Sequence, residues 1–198
     1  MNQAKSSCMK IRFVDLDEQV INALKAEFSP LPGDFSFTCA SIIEMESLSP
    51  DSGLVALVSP ANSLGFMDGG VDQAYLNHFG DHLQKRVQTH LQEHFYGELP
   101  VGQATTVNLS KQRYLIVAPT MRRPTSVKET LNAYLAFRAV LIEALEFNKA
   151  NSDNPAVQIT EIRCPGFCTG VGKMRPAAAA LQMAMAWCQV YGIKPCPL

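Results

Sequence analysis

The sequence LVALVSPANSLGFMDGGVD, residues 54–72, decides the fold of this chain. It contains most of a continuous apolar run, Gly53–Val58, that is flanked by Gly and Pro. Such a run is typical of a strand covered on both faces, and therefore of a parallel sheet. Gly69 and Gly70 stand where a helical pattern of apolar residues begins. The segment thus predicts a strand, a loop and a helix in succession, which is the repeating unit of α/β domains.

The rest of the chain repeats this alternation. Strands are predicted at 10–14, 35–39, 104–109, 114–118 and 157–164, and helices at 17–28, 71–96, 126–147 and 176–191. Asp15 or Asp17 is expected to cap the first helix, and Pro176 to open the last one. Ser126 and Glu129 have the spacing of a capping box. Apolar residues recur at every fourth position in 71–96, which predicts a single helix, the longest in the chain.

Length and composition favour one domain with one large core. The 198 residues are 47% hydrophobic and 18% charged, which excludes a disordered polymer. A net charge of −1 provides no positive field for a nucleic-acid duplex or an acidic membrane, so both are disfavoured as partners. The polar start and the absence of an 18-residue apolar run predict a cytoplasmic protein. The six cysteines include no CxxC pair, and we interpret most of them as small core residues.

A second loop, Pro165–Lys173, lies in the same context as residues 59–72, between a predicted strand and a predicted helix. N–H groups in the first turn of a helix are unpaired, and glycine lets an anion approach them closely. Loops of this kind converge at the carboxyl edge of a parallel sheet, so two of them suit two phosphates. The alternative is that the glycines only close two tight turns. Neither loop matches GxGxxG or GxxxxGK[ST], which excludes the common dinucleotide and nucleoside triphosphate motifs.

Four motifs in this order resemble those of the macrodomain family. Val58-Ser59-Pro60-Ala61-Asn62 is similar to the family's V-N-A-A-N, and the next motif, G-G-G-V-D, is matched by Gly69-Gly70-Val71-Asp72. Residues 99–104 are similar to C-P-T-G-E-A, and residues 168–171 to S-T-G-I. The resemblance runs from about Thr38 to Trp187. It implies a three-layer α/β/α fold with a mostly parallel mixed sheet over residues 1–198, in which residues 1–37 form a βα unit outside the motifs.

The resemblance also implies a ligand and an activity. The family binds ADP-ribose, and some members hydrolyse ADP-ribosyl bonds, so the chain is expected to be a hydrolase or a non-catalytic reader of ADP-ribose. No cofactor and no metal are implied. The diphosphate is expected between the two glycine loops, and the distal ribose near Asn62. The implied binding residues are Ser41, Ile42, Asn62, Gly69, Gly70, Val71, Cys168, Thr169, Gly170, Val171 and Gly172.

The chain departs from the family pattern at three positions. Ser41 stands where the family has its adenine-binding Asp, and a serine cannot offer a charge-assisted hydrogen bond to an adenine amino group. Ser59 replaces the first Asn of the usual pair, and Gly172 replaces an aromatic residue. We therefore expect relaxed base recognition and a more open pocket around the distal ribose.

Asp72 and Asn62 are the candidate catalytic residues. In hydrolytic members the motif Asp positions or activates the water that attacks the anomeric carbon, and a carboxylate beside a diphosphate is chemically suited to this task. A structural reading is equally open, because a carboxylate in the first turn of a helix is stabilised by the helix dipole by roughly 0.3–1 kcal/mol. Asp68 is interpreted as a turn or cap residue.

Other reactive side chains have simpler interpretations. The four histidines, His78, His82, His90 and His94, form two pairs about 12 Å apart on the predicted long helix, too far apart to share one ion, and we interpret them as solvated residues. Cys168 has no histidine near it in the sequence, so we assign it a packing role. Lys173 and Arg175 either offset phosphate charge or are simply solvated.

Overall fold

A computed structural model of the protein describes residues 9–46, 54–110 and 112–194. Its centre is a six-stranded sheet in the spatial order β2-β1-β6-β3-β5-β4. All neighbouring strands are parallel except β4 and β5, which are antiparallel. The expected mostly parallel mixed sheet is therefore confirmed. The strands are β1 (Lys10–Asp15), β2 (Asp34–Cys39), β3 (Leu54–Ser59), β4 (Thr105–Ser110), β5 (Arg113–Val117) and β6 (Ile159–Cys164).

Helices cover both faces of this sheet, which confirms the three-layer α/β/α architecture. One face packs against α1, α5 and α6, and the opposite face against α2, α3 and α4. A 3-10 turn at Pro155–Val157 precedes β6, so that strand begins later than expected. The helices are α1 (Glu18–Phe28), α2 (Ile42–Glu46), α3 (Gly70–Phe79), α4 (His82–Phe95), α5 (Asn132–Ala150) and α6 (Pro176–Tyr191).

The apolar run in β3 serves both hydrophobic layers. Leu54, Ala56 and Val58 lie in the core under α1, α5 and α6, whereas Val55 and Leu57 lie in the core under α2, α3 and α4. Alternate side chains of a strand point to opposite faces, so a strand between two helical layers is apolar at every position. This confirms the prediction drawn from the run; Gly53 lies outside the described residues.

The prediction of one long helix over 71–96 was wrong. Gly80 has φ +95°, a conformation that a helix cannot continue, and its N–H donates to the Leu76 carbonyl. Two helices result, with His78 on α3 and the other three histidines on α4. Apolar residues recur at every fourth position from Tyr75 and Phe79 in α3 to Leu83 in α4, so the apolar periodicity did not reveal the break. The 19-residue α5 is longer than either of them.

Other predicted helix ends are partly confirmed. Asp17 caps α1 by accepting the Gln19 N–H at 2.8 Å, and Pro176 opens α6. The capping box at Ser126 was wrong, because α5 begins only at Asn132. The segment before α5 contacts the second glycine loop instead, because the Val127 N–H donates to the Gly172 carbonyl at 2.8 Å.

Three of the four cysteines in the described ranges are buried, as expected of core residues. Cys164, Cys168 and Cys188 are buried, whereas Cys39 is exposed. Cys8 and Cys196 lie outside the described residues. Among the helices of the described ranges, none is long and apolar enough to cross a membrane.

Candidate functional site

A cleft of about 390 Å³ opens at the carboxyl ends of the parallel strands. The residues that follow β1, β2, β3 and β6 line it, together with the first turn of α3 and the segment after β5. This is the edge at which ligands bind in open α/β sheets. The catalytic candidates and all binding residues implied by the resemblance contribute to its wall: Ser41, Ile42, Asn62, Gly69, Gly70, Val71, Asp72, Cys168, Thr169, Gly170, Val171 and Gly172.

Sheet order explains why the two glycine loops meet. β3 and β6 are adjacent parallel strands, although about 100 residues separate them in the chain. Each strand feeds a helix on a different face, α3 on one side and α6 on the other. The loops at 59–72 and 165–173 therefore start side by side and diverge around the cleft.

The second loop contains a run of unpaired backbone donors. The N–H groups of residues 169–172 donate no hydrogen bond to any residue in the described ranges. The loop keeps its shape through other groups: Met174 N–H donates to the Cys168 carbonyl at 2.9 Å, and Lys173 N–H to the Gly170 carbonyl at 3.1 Å. Successive unpaired N–H groups in a curved loop form a concave site for an anion.

The glycines of the site fall into two kinds. A Cβ placed on Gly69, Gly70 or Gly170 would meet no atom within 4 Å, so these residues border open space. A Cβ on Gly172 would lie 2.4 Å from the Cys168 carbonyl oxygen and 2.8 Å from Cγ2 of Val127. The tight-turn interpretation therefore explains Gly172, and also Gly70, whose φ of +57° favours glycine. Gly69, Gly70 and Gly170 all leave room for a ligand next to backbone N–H groups.

Asn62 is buried and organises its own loop. Its Oδ1 accepts the N–H groups of Leu64 at 3.1 Å and Phe66 at 3.3 Å, and its Nδ2 donates to the Phe66 carbonyl at 2.8 Å. An amide oxygen accepts two hydrogen bonds, so Oδ1 has no capacity left for a ligand. One N–H of the Nδ2 group is what Asn62 can still offer to the cleft.

Asp72 lies in the first turn of α3 and is 6% exposed. Its Oδ1 accepts a hydrogen bond of 2.5 Å from Oγ of Ser59. Burial raises the pKa of Asp72 to about 7; the Ser59 hydrogen bond lowers it and the nearby charge of Asp68 raises it. A carboxyl group with this pKa can accept or release a proton near neutral pH, as a general acid or base must.

Cys168 has the properties of a packing residue. It is buried, and burial raises the pKa of its thiol to about 12, against a smaller lowering by a hydrogen bond with Thr120. A thiol of this kind is protonated near neutral pH and is a poor nucleophile.

Lys173 and Arg175 are exposed and do not line the cleft, so backbone donors rather than cationic side chains face it.

Neither the histidines nor other side chains form a metal site in the described ranges, where no three His, Cys, Asp or Glu residues are close enough to hold an ion. His90 contacts Thr105 at 2.7 Å and packs against the ring of His94.

Ser41 accepts the Ile43 N–H at 3.3 Å and so begins α2, whose first residue, Ile42, is buried.

Sequence reasoning missed part of the cleft. Asp15 was considered only as a cap, yet it lines the cleft, and its Oδ2 accepts the Gly166 N–H at 2.9 Å. Its signal was present, because Asp15 is the polar residue that ends β1 directly after the apolar Phe13 and Val14, as Ser59 ends β3. Thr120, Met121 and Pro124 also line the cleft, and no sequence pattern marked them.

Fold and cleft define an α/β protein whose cleft, at the carboxyl edge of the sheet, adjoins unpaired backbone N–H groups. Residues 58–183, more than half of the chain, match the family described as Macro domain. The chain belongs to the macrodomain family.

The chain is also similar to individual proteins in sequence or in fold. A protein of Aeropyrum pernix described as uncharacterized is 31% identical over 133 residues, which cover 66% of this chain and 62% of that protein. A macrodomain of Oceanobacillus iheyensis, solved with ADP, is 24% identical with a TM-score of 0.53 over 68% of this chain and 67% of that one. Thermosipho africanus DarTG, solved in complex with ADP-ribose, is 16% identical with a TM-score of 0.50, over 70% of this chain and 35% of that one. These two structures share the fold with this chain.

Proposed function

We propose that the protein binds ADP-ribose in this cleft and hydrolyses an ADP-ribosyl bond to a carboxylate or, in ADP-ribose 1″-phosphate, to a phosphate. The observation that carries the proposal is the pair of adjoining loops, one with four unpaired N–H groups and both with glycines that border open space. Two such backbone sites are satisfied together by a diphosphate. The ADP and ADP-ribose in the two similar structures belong to the same ligand class.

The parts of the ligand follow from this placement. The diphosphate is assigned to the space between Gly70 and Gly170, and the adenine to the wall that contains Ser41 and Ile42. The distal ribose is assigned to the side of Asn62 and Asp72. Because Oδ1 of Asn62 is used within the loop, a ribose oxygen would be recognised by the remaining N–H of Nδ2.

Asp72 supplies the chemistry in this proposal. Water attacks the anomeric carbon and forms a new C–O bond, while the bond to the leaving carboxylate or phosphate breaks and its electron pair stays on the leaving oxygen. The proton of the attacking water passes to Asp72, whose Oδ2 accepts no hydrogen bond from the described residues. Only the ionised carboxyl group can take this proton, so turnover should rise with pH through about 7.

A reader of ADP-ribose is the second candidate function, and the state of Asn62 favours it. The Asn62 side chain is hydrogen-bonded to its own loop, so it shapes the wall of the cleft. This role serves ligand binding and does not require a reaction. Under this alternative the protein binds ADP-ribose without turnover, and the Asp72 carboxyl group contributes only to folding.

Calorimetry and a turnover assay separate these functions. ADP-ribose should bind at least about tenfold more tightly than AMP, because AMP offers a single phosphate to the two loops. In a hydrolase, Asp72→Ala should keep the affinity within a few fold and lower turnover by roughly 10²-fold or more. Asp153→Ala, at an exposed position beyond α5, is the matched control and should change neither. Equal affinities for AMP and ADP-ribose would contradict the binding site, and turnover that survives Asp72→Ala would contradict the mechanism.

A further inference from the structure

Ser59 and Asp72 form a buried polar pair where β3 ends and α3 begins. Ser59 is 1% exposed and Asp72 is 6% exposed. The Ser59 hydroxyl donates to Oδ1 of the carboxyl group over 2.5 Å. A distance this short is typical of a hydrogen bond that involves a charged oxygen, which is stronger than one between neutral groups.

The serine side of the pair is held rigidly. Ser59 is the last residue of β3 and is aligned with Val117 of β5. Its carbonyl accepts the Ala118 N–H at 2.9 Å, so its backbone is held within the sheet. One residue earlier, the Val58 carbonyl accepts a hydrogen bond from the Tyr75 hydroxyl at 3.1 Å. Two side chains of α3, one turn apart, are therefore tied to the end of the same strand.

The two oxygens of the Asp72 carboxyl group have different surroundings. Oδ1 is occupied by Ser59, whereas Oδ2 accepts no hydrogen bond within the described residues. Asp72 itself contributes to the wall of the cleft. A carboxyl group that is hydrogen-bonded through one oxygen cannot rotate freely, so the other oxygen has a defined direction.

We propose that Ser59 is the positioning residue of Asp72: its hydroxyl holds Oδ1, orients the carboxyl group and leaves Oδ2 as the acceptor for a ligand hydroxyl or a water in the cleft. The proposal rests on the proposed function for the identity of that partner. This chain therefore positions its acid through a hydroxyl group.

The surroundings of Asp72 change its pKa in opposite directions. Burial is the main cause of the raised pKa of Asp72, the Ser59 hydrogen bond lowers this pKa by favouring the ionised carboxylate, and the negative charge of Asp68 raises it. On the helices packed beside α3, Glu44 of α2 and every charged or titratable side chain of α4 except His90 are exposed, and His90 contacts Thr105. In the cleft, the Asp15 carboxylate accepts the Gly166 N–H. Removal of the Ser59 hydroxyl leaves burial and Asp68 unopposed, so the carboxyl group should hold its proton to a higher pH.

A direct titration of the Asp72 carboxyl carbon by 13C NMR, in protein labelled at aspartate and assigned with Asp72→Asn, tests this proposal without requiring turnover. Ser59→Ala should raise the pKa of Asp72 by about one unit, whereas Ser59→Thr, which keeps a hydroxyl, should stay within a few tenths of the unchanged protein. Ser63→Ala is the matched control, because Ser63 is equally buried in the next loop but donates to the Met121 carbonyl, and it should leave the titration unchanged.

Two further measurements separate positioning from folding. Ser59→Cys keeps a weaker donor and should give an intermediate shift, so the proposal is tested even if the alanine variant does not fold. In a catalytic protein the acidic limb of the turnover profile should move with the NMR titration, while ADP-ribose affinity changes by less than a few fold. Equal Asp72 titrations in the unchanged protein and the folded alanine or cysteine variants would overturn the proposal. Absence of turnover from the unchanged protein would overturn hydrolysis and leave the Ser59 test intact.

Discussion

Asp72→Asn offers a quantitative test of the buried carboxyl group, because it removes the titration and keeps the shape and the acceptor for the Ser59 hydroxyl. The pKa of this group is about 7 in the folded protein and 3.8 in its ordinary state. The folded state therefore binds the proton more tightly, and the group stabilises the fold most below pH 3.8. This stabilisation is lost as the pH rises towards 7. Three pKa units correspond to about 4 kcal/mol, of which about 3 kcal/mol falls between about pH 5 and about pH 8.5.

Urea denaturation of both proteins at these two pH values measures the effect. The difference in unfolding free energy between Asp72→Asn and the unchanged protein should shift by about 3 kcal/mol in favour of the variant from the lower to the higher pH. All other titrating groups are shared by the two proteins, so this double difference isolates Asp72. A difference that is the same at both pH values, within about 0.5 kcal/mol, would refute the raised pKa and with it the acid–base role near neutral pH.

Three further predictions use the glycines of the second loop and the buried arginine of β6. Gly170→Ala should keep ADP-ribose affinity within a few fold by calorimetry, because its Cβ enters open space, whereas Gly170→Glu should weaken binding at least about tenfold by setting a like charge beside the phosphates; equal effects would contradict the cleft. Gly172→Ala should destabilise the fold by about 1–3 kcal/mol in thermal denaturation, since its Cβ would meet the Cys168 carbonyl at 2.4 Å, and an unchanged Tm would contradict this close approach. Arg163→Met should destabilise the fold by about 1–3 kcal/mol, because it removes the nearer of the two arginine partners of Glu161, with Arg12 left at 3.6 Å, and also the hydrogen bond to the Met45 carbonyl. Adding Glu161→Gln should recover part of the loss; additive losses in urea would argue against the 2.7 Å pairing of Arg163 with Glu161.

Most of the fold could be predicted from the chain because its signals are local. A run that is apolar at every position indicates a strand between two layers, and β3 has this environment. Glycines between a strand and a helix indicated where backbone donors would be exposed, and Gly70 and Gly170 border the cleft. The break at Gly80 was not predicted, because α3 and α4 continue the same four-residue apolar spacing on either side of it.

The sequence by itself determined the layered fold, the two glycine loops of the cleft and the candidate residues Asn62 and Asp72, because periodicity and turn chemistry are properties of neighbours in the chain. Tertiary structure decided what those residues do. Sheet order brought Asp15 and Gly166 together across about 150 residues. The packing of α3 beside the end of β3 placed Asp72 within hydrogen-bond distance of Ser59. The raised pKa of Asp72 follows from this burial, since a charge that is removed from water depends on every group around it rather than on its place in the sequence.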